Sequence, residues 1–164
     1  MRLLSWVSMS PQSDDLLLEG EQDGIDLVQR LPLFRTLTYD ETLRLFAITR
    51  EERAPAGRVV VDEDAVGQAL YIIKSGRVRV RKGERALVEL GPGELFGEMS
   101  LVDDVLTSAA VEVASDAELL VLPRAPFEKL LAADLGLALK VYRAFCRTLS
   151  ERLRRANLDL EGVA

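Results

Sequence analysis

The chain of 164 residues contains no histidine and a single cysteine, Cys146. The first absence removes the commonest general base and the commonest metal ligand. Together the two absences exclude a structural zinc site of the usual Cys/His kind. One cysteine cannot close an internal disulfide, a pattern that fits a reducing, cytoplasmic environment. No apolar run approaches the roughly 18–20 residues that span a bilayer. There is no excess of positive charge either: 21 Lys+Arg against 27 Asp+Glu leave a net charge of −6, so the whole-chain balance does not point to nucleic acid. What is present is 48% apolar and 29% charged residues, the texture of a globular domain with a core large enough to fold alone.

The opening "MRLLSWVSMSP" has an early arginine and a short apolar patch, but the patch is too short and too interrupted for a secretory h-region. An alternative is a short amphipathic anchor that places Trp6 against a partner or a membrane surface. Through "SDDLLLEGEQDG" the expectation for residues 1–23 is a flexible acidic leader, with a docking peptide as its alternative. Residues 24–157 are expected to form the domain and residues 158–164 a tail.

"IDLVQRLPLF" predicts a short helix stopped near Pro32. Thr38 and Glu41 have the spacing of a capping box, and "ETLRLFAITREER" predicts the helix that follows, with Leu43, Phe46 and Ala47 on one face. After "APAG" the chain turns to short β-rich runs at nearly regular spacing: "RVVVDE", "ALYIIKSG", "RVRVRKGE", "RALVELGPG", "ELF", "SAAVEV" and "AELLVLP". That rhythm predicts a small barrel or sandwich. In "RVRVRK" the alternation points Val78 and Val80 inward and leaves Arg77, Arg79 and Arg81 on the opposite face, read as a solvated outer face with a phosphate-binding stripe as its alternative. "SGR" and "KGE" are read as turns between strands. "PFEKLLAA" predicts a short helix with Pro126 in its first turn, and Asp134 caps a longer one running to about Asn157. In that long helix Leu135, Leu139, Tyr142, Phe145 or Cys146, Leu149, Leu153 and Ala156 recur at spacings of three or four, a stripe for packing on the β-domain, for self-association, or for both. Lys140, Arg143, Arg147, Arg152, Arg154 and Arg155 cover much of the other surface, read as a solvated face favoured near a helix C-terminus, with nucleic-acid or membrane contact as its alternative.

The stretch "GELFGEMSLVDDVLTSAAV", residues 93–111, carries the chemistry. Gly93 to Gly97 bring a strand to a tight turn, and a helical turn begins near Glu98. Backbone N–H groups at such a start favour an anion. Glu98 would repel a bare phosphate but would accept hydrogen bonds from a hydroxyl beside it, as a ribose offers.

"FGEMSLVDDVLTSAAV" resembles the phosphate-binding cassette of cyclic nucleotide-binding domains, the family of the catabolite activator protein and protein kinase A regulatory subunits. "LPLFRTLTYDETLRLF", "RVVVDEDAVGQALYIIKSGRVRV" and "LPRAPFEKLL" stand in the order that family shows, so the resemblance covers roughly residues 26–156. It implies a mainly β fold, a jelly-roll-like β-roll with N-terminal helices, a short cassette helix and two C-terminal helices. It implies that Gly97, Glu98, Met99, Ser100, Thr107, Ser108 and Ala109 line a ligand site, with Glu98 on the ribose 2′-hydroxyl. Where the family's cassette carries an arginine for the phosphate, this chain carries Thr107. Losing one partner of a buried charge pair costs about 2–5 kcal/mol, against about 0.5–1.5 kcal/mol for the single neutral hydrogen bond that Thr107 could return.

Two functions follow as expectations. One is a stand-alone regulatory module in signalling that binds cyclic AMP or cyclic GMP weakly. The other is a ligand-free scaffold that keeps the fold and acts through an unidentified signalling protein. Self-association through Leu135, Leu139, Tyr142, Phe145, Leu149 and Leu153 is compatible with either. A DNA-binding regulator would need a helix-turn-helix, and none is expected in the few residues after the long helix. No nucleophile–base arrangement or metal-ligand cluster is legible, so no enzymatic activity is expected.

Overall fold

The computed structural model describes residues 11–162. Trp6 and the rest of the opening "MRLLSWVSMS" lie outside the described residues, as do the last two positions. The first element is a helix, α1 (Pro11–Arg30), followed after a turn by α2 (Tyr39–Phe46). Six strands come next: β1 (Arg50–Ala54), β2 (Val59–Val61), β3 (Ala69–Lys82), β4 (Arg85–Leu90), β5 (Leu95–Phe96) and β6 (Ala110–Pro123). A single 3-10 turn, Glu98–Leu101, precedes β6, and the helices α3 (Arg124–Ala133) and α4 (Leu135–Glu161) complete the described chain. The expected boundary at residues 23/24 falls inside α1, so the acidic stretch from Pro11 onward is helical. The expected helix over "IDLVQRLPLF" is the end of α1, which stops at Arg30 ahead of Pro32.

All strand pairings are antiparallel, in the order β1-β6-β3-β4, with β2 on β6 and β5 on β3. The fold is therefore a mainly antiparallel β-structure flanked by helices. Two of its strands are longer than the sequence suggests. "ALYIIKSG" and "RVRVRKGE" form one strand, β3, and "SAAVEV" and "AELLVLP" form one strand, β6. The two expected breaks lie opposite each other. Gly76 has φ 81°, and a Cβ there would stand 2.2 Å from the Asp116 carbonyl oxygen, while the β3–β6 register shifts between Ile73 and Val78. Glycine and bulge thus bend the paired strands together, where a hairpin turn would have ended them. The turn at Gly83 is a true hairpin, closing on the pair Lys82 and Arg85.

Burial explains the patterns. Leu120 and Leu122 of β6 belong to one core cluster, with Leu70 and Ile72 of β3 and with Phe127, Leu137 and Val141 of the last two helices. Leu119 and Val121 belong to the second cluster, with Ile73, Val78 and Phe96. A strand covered on both faces reads as a continuous apolar run, which is why "LLVL" does not alternate. Val78 is fully buried, while Arg77 and Arg79 meet Glu89 and Arg81 meets Glu112 at 3.2 Å. The arginine row is a paired outer face.

α2 is shorter than "ETLRLFAITREER", because Arg50–Ala54 is recruited as β1 and pairs with Ala117–Val121. Its buried positions are Thr42 and Leu45, with Phe46 partly buried, and Leu43 is exposed. The capping box of Thr38 and Glu41 is present with both bonds. Glu41 also takes Lys140 of α4 on both carboxylate oxygens at 2.8 Å. One turn away Arg44 reaches Asp134, 2.6 Å, whose side chain caps α4 by accepting from the Leu137 N–H. Burial alone would raise the Glu41 carboxyl, but the bonds from Lys140 and from the Thr38 backbone bring it below its ordinary value. The Leu137 N–H and then Arg44 lower Asp134 in the same sense.

Because both folded-state values are depressed, the stabilisation is present above the ordinary carboxylate range and is lost as pH falls through the lowered values. The thermal midpoint followed by circular dichroism should therefore hold from neutral pH to about pH 5 and fall steeply below about pH 4. Glu41→Gln should be less stable at neutral pH and should show a shallower acid loss.

Candidate functional site

The cassette begins where β5 ends. Gly97 has φ 80°, and a Cβ at that position would approach the Ala69 carbonyl oxygen to 2.6 Å. Only glycine satisfies both conditions, and this fixes how the chain leaves β5. The residues that follow form one 3-10 turn, Glu98–Leu101, with no side-chain cap. Four residues of 3-10 geometry build little aligned dipole, so the attraction of this start for an anion is smaller than that of a full α-helix.

Behind the turn lies a cavity of about 310 Å³, near the lower end of small-molecule sites. Gly97, Glu98, Met99, Thr107, Ser108 and Ala109 all border it. The side chain of Ser100 lies outside the described residues. The rest of the wall is apolar and comes from the strands: Val61, Val80, Val88, Leu90, Leu95 and Val111. Of these residues only Val80 is foreshadowed in the sequence, by the alternation of "RVRVRK". The others come from four strands whose convergence needs the sheet topology. Phe96 closes the floor, its ring stacked on Tyr71 at a centroid distance of 4.8 Å. Glu98 is 7% exposed and is the one ionisable side chain among the described residues that line the cavity.

Thr107 has a second engagement. Its hydroxyl donates to the Asp62 carbonyl and accepts from the Ala65 N–H at 3.0 Å. Its backbone N–H donates to the Ala65 carbonyl at 2.8 Å, and its carbonyl accepts from the Asp64 N–H at 2.9 Å. Four hydrogen bonds thus clamp the end of the cassette to residues 62–65, where Asp64 takes φ 56°. The hydroxyl's one hydrogen is used there, so the donated bond that the sequence lets Thr107 offer a phosphate is already made inside the fold. Arg124, at the start of α3, is held by Glu128 at 2.7 Å and by Asp104 of the cassette loop. Arg85 lies at the β3–β4 turn, opposite Lys82. Neither borders the cavity.

The cassette is also tied to the helices. Leu101, the last residue of the 3-10 turn, is buried in the same cluster as Phe127 and Leu131 of α3 and Leu137 and Val141 of α4. The turn lies directly against α3, and its displacement would disturb a core that it shares with both helices.

Residues 51–134, just over half of the chain, match the family model described as the cyclic nucleotide-binding domain. The chain belongs to the cyclic nucleotide-binding domain family. It is 38% identical over 135 residues to the cyclic AMP receptor protein of Thermus thermophilus, covering 79% of this chain and 61% of that protein. It is 31% identical over 143 residues to a putative potassium channel protein of Rhodopseudomonas palustris, covering 84% of this chain and 34% of that protein. Among solved structures, the N-terminal domain of a transcriptional regulator from Streptomyces coelicolor superposes with a TM-score of 0.69 at 28% identity, covering 82% of this chain and 94% of that one. The chain thus spans about three fifths of the Thermus relative and a third of the Rhodopseudomonas one. The cyclic nucleotide-binding domain is a regulatory β-roll, and the β-structure, the 3-10 turn and the two following helices are that roll here. Among the described residues no helix is long and apolar enough to cross a membrane.

α4 separates the expected stripe into two faces. Phe145 turns to the core with Leu137, Ala138, Val141 and Ala144, so it belongs to the packing face. Leu135, Leu139, Tyr142, Leu149 and Leu153 are exposed, as is Cys146. With Cys146 included, these six follow one another at steps of four and three, the heptad spacing of a coiled-coil seam.

Proposed function

We propose that the chain is a regulatory module in signalling that binds cyclic nucleotides weakly, reports cavity occupancy through α3 and α4, and pairs with a second copy along the exposed seam of α4. The observation that carries the reading is the cavity lining: apolar walls, the acidic Glu98, and no Lys or Arg among the described residues. A cyclic phosphate entering there would leave water without gaining a charged partner. Thr107 stands where the resemblance places the phosphate-binding arginine, and its hydroxyl is bound to residues 62–65. Gly97, Glu98, Met99, Ser100, Ser108 and Ala109 would hold the ligand, with Glu98 on its ribose hydroxyl. Leu101 supports a packed route from the turn to α3 and α4, and Leu135 at 79% and Leu153 at 63% exposure support pairing. Relatives named as a cyclic AMP receptor protein and as a putative potassium channel protein fit one sensing domain with different outputs.

Hydrogen exchange with cyclic AMP at about 10 mM, well above millimolar dissociation constants, tests the route. Changed protection is expected at Glu98–Leu101 and at the amides of Phe127, Leu131, Leu137 and Val141. A change confined to the cavity would contradict transmission to the helices. No change anywhere would favour the second reading, a ligand-free interaction module, for which the exposed α4 stripe is the supporting observation.

A further inference from the structure

A second, smaller notch lies where the connection from α1 to α2 meets the middle of α4. The core fixes that connection: Leu33, Phe34 and Leu37 are buried, and the Phe34 and Arg35 N–H groups both donate to the Leu31 carbonyl at 2.9 Å. Arg35 and Thr36 are left exposed between them. On α4, Ala144 packs in the same core cluster, and Arg147, Thr148 and Glu151 stand beside it. Arg35, Thr36, Arg147 and Thr148 border a space of about 100 Å³, with Glu151 next to them. The notch shares no residue with the cassette cavity.

Its charges differ from those on the roll. Arg53, Arg77, Arg81 and Arg124 each hold a carboxylate, and Lys140, two turns before Arg147 on the same side of α4, holds Glu41. Among the described residues Arg35 and Arg147 hold none, although Glu151 stands one turn from Arg147. Two arginines brought to one small space without a counter-charge repel each other, and an anion between them relieves that repulsion. The donors select its shape. Two planar guanidinium forks and two hydroxyls outnumber the oxygens of a carboxylate, while a tetrahedral phosphate group has an oxygen for each. The space is well below that of a ring-binding pocket, so it admits the group and leaves anything attached to it outside. We infer that this notch is a phosphate-binding site, in which Arg35 and Thr36 and then Arg147 and Thr148 hold one phosphate group and join the α1–α2 connection to α4. Glu151 weakens the site.

Inorganic phosphate, titrated into the full chain at a constant ionic strength of about 0.15 M, tests it through backbone amide shifts in nuclear magnetic resonance. The amides of Arg35, Thr36, Arg147 and Thr148 should move together and saturate, with half the effect below about 5 mM. Saturating phosphate should raise the thermal midpoint by about 3 °C. Arg35→Gln and Arg147→Gln should each weaken binding at least about fivefold, and Glu151→Gln should tighten it at least about twofold. Arg85→Gln removes an unpaired arginine from the β3–β4 turn and should change nothing. O-phosphoserine, titrated in the same way, separates the two sources of the group. Binding tighter than that of inorganic phosphate assigns the site to a phosphate ester carried by a larger molecule, and weaker binding assigns it to the free ion. Shifts that rise without saturating up to about 50 mM, or that are confined to Glu98–Leu101, would overturn the inference. So would a loss from Arg85→Gln equal to that from Arg35→Gln, since the ion would then follow the general charge of the surface.

Discussion

Thr107→Arg is expected to raise the affinity for cyclic AMP by roughly 30-fold to several thousand-fold, the reverse of removing one partner from a buried charge pair. The cavity already borders position 107, with Glu98, Ser108 and Ala109 beside it. An arginine there would place a planar, fixed charge where a phosphate can take two hydrogen bonds from it. The gain has a structural cost, because the hydroxyl that joins Asp62 to Ala65 disappears. The two backbone bonds between Thr107 and residues 64–65 remain, so residues 62–65 keep their place and the loss should be about 1–3 kcal/mol of stability. Thr107→Val separates the two effects. It should lose similar stability and gain no affinity. A folded Thr107→Arg variant with unchanged affinity would mean that the chamber's shape, and not its charge, excludes the cyclic nucleotide.

The second large effect concerns α4. Leu149→Glu combined with Leu153→Glu should weaken self-association at least about 100-fold, since two apolar anchors of the seam each contribute more than about 1.4 kcal/mol. Both side chains are exposed in the single chain, so the thermal midpoint of the roll should change little once dilution has separated the copies. Phe145→Ala is the contrast. It empties a position that is 3% exposed and packed within the main core, and it should cost about 3–5 kcal/mol of folding stability. Sedimentation equilibrium reads the first effect and thermal unfolding the second. A wild-type chain that remains monomeric at about 0.5 mM, far above the dissociation constant of a specific dimer, would contradict pairing through the seam.

The capping box at Thr38 and Glu41, the Asp134 cap and the inward face of "RVRVRK" are legible in the sequence because each depends on residues close together in the chain, and the family is legible because its short motifs keep their order along it. What escaped depends on residues brought together from afar. "SG" at residues 75–76 carries a turn signal, yet Asp116 and Ala117 lie against it and make it a bulge. "ITREER" carries a helical pattern, yet pairing with β6 makes part of it a strand. The clamp from Thr107 to Asp62 and Ala65 spans more than forty residues. The sequence makes the substitution visible, but not that the new side chain has its own work in the fold. The apolar stripe on α4 was equally visible; the spacing alone could not say that Phe145 faces inward while Leu149 and Leu153 face out.

One titration bears most directly on the central claim, that this cyclic nucleotide-binding domain keeps the chamber and lacks the charge for the phosphate. Cyclic AMP is titrated by calorimetry into the unmodified chain at about 0.15 M salt. The account predicts a dissociation constant weaker than about 100 μM. A constant in the low micromolar range or tighter would contradict it.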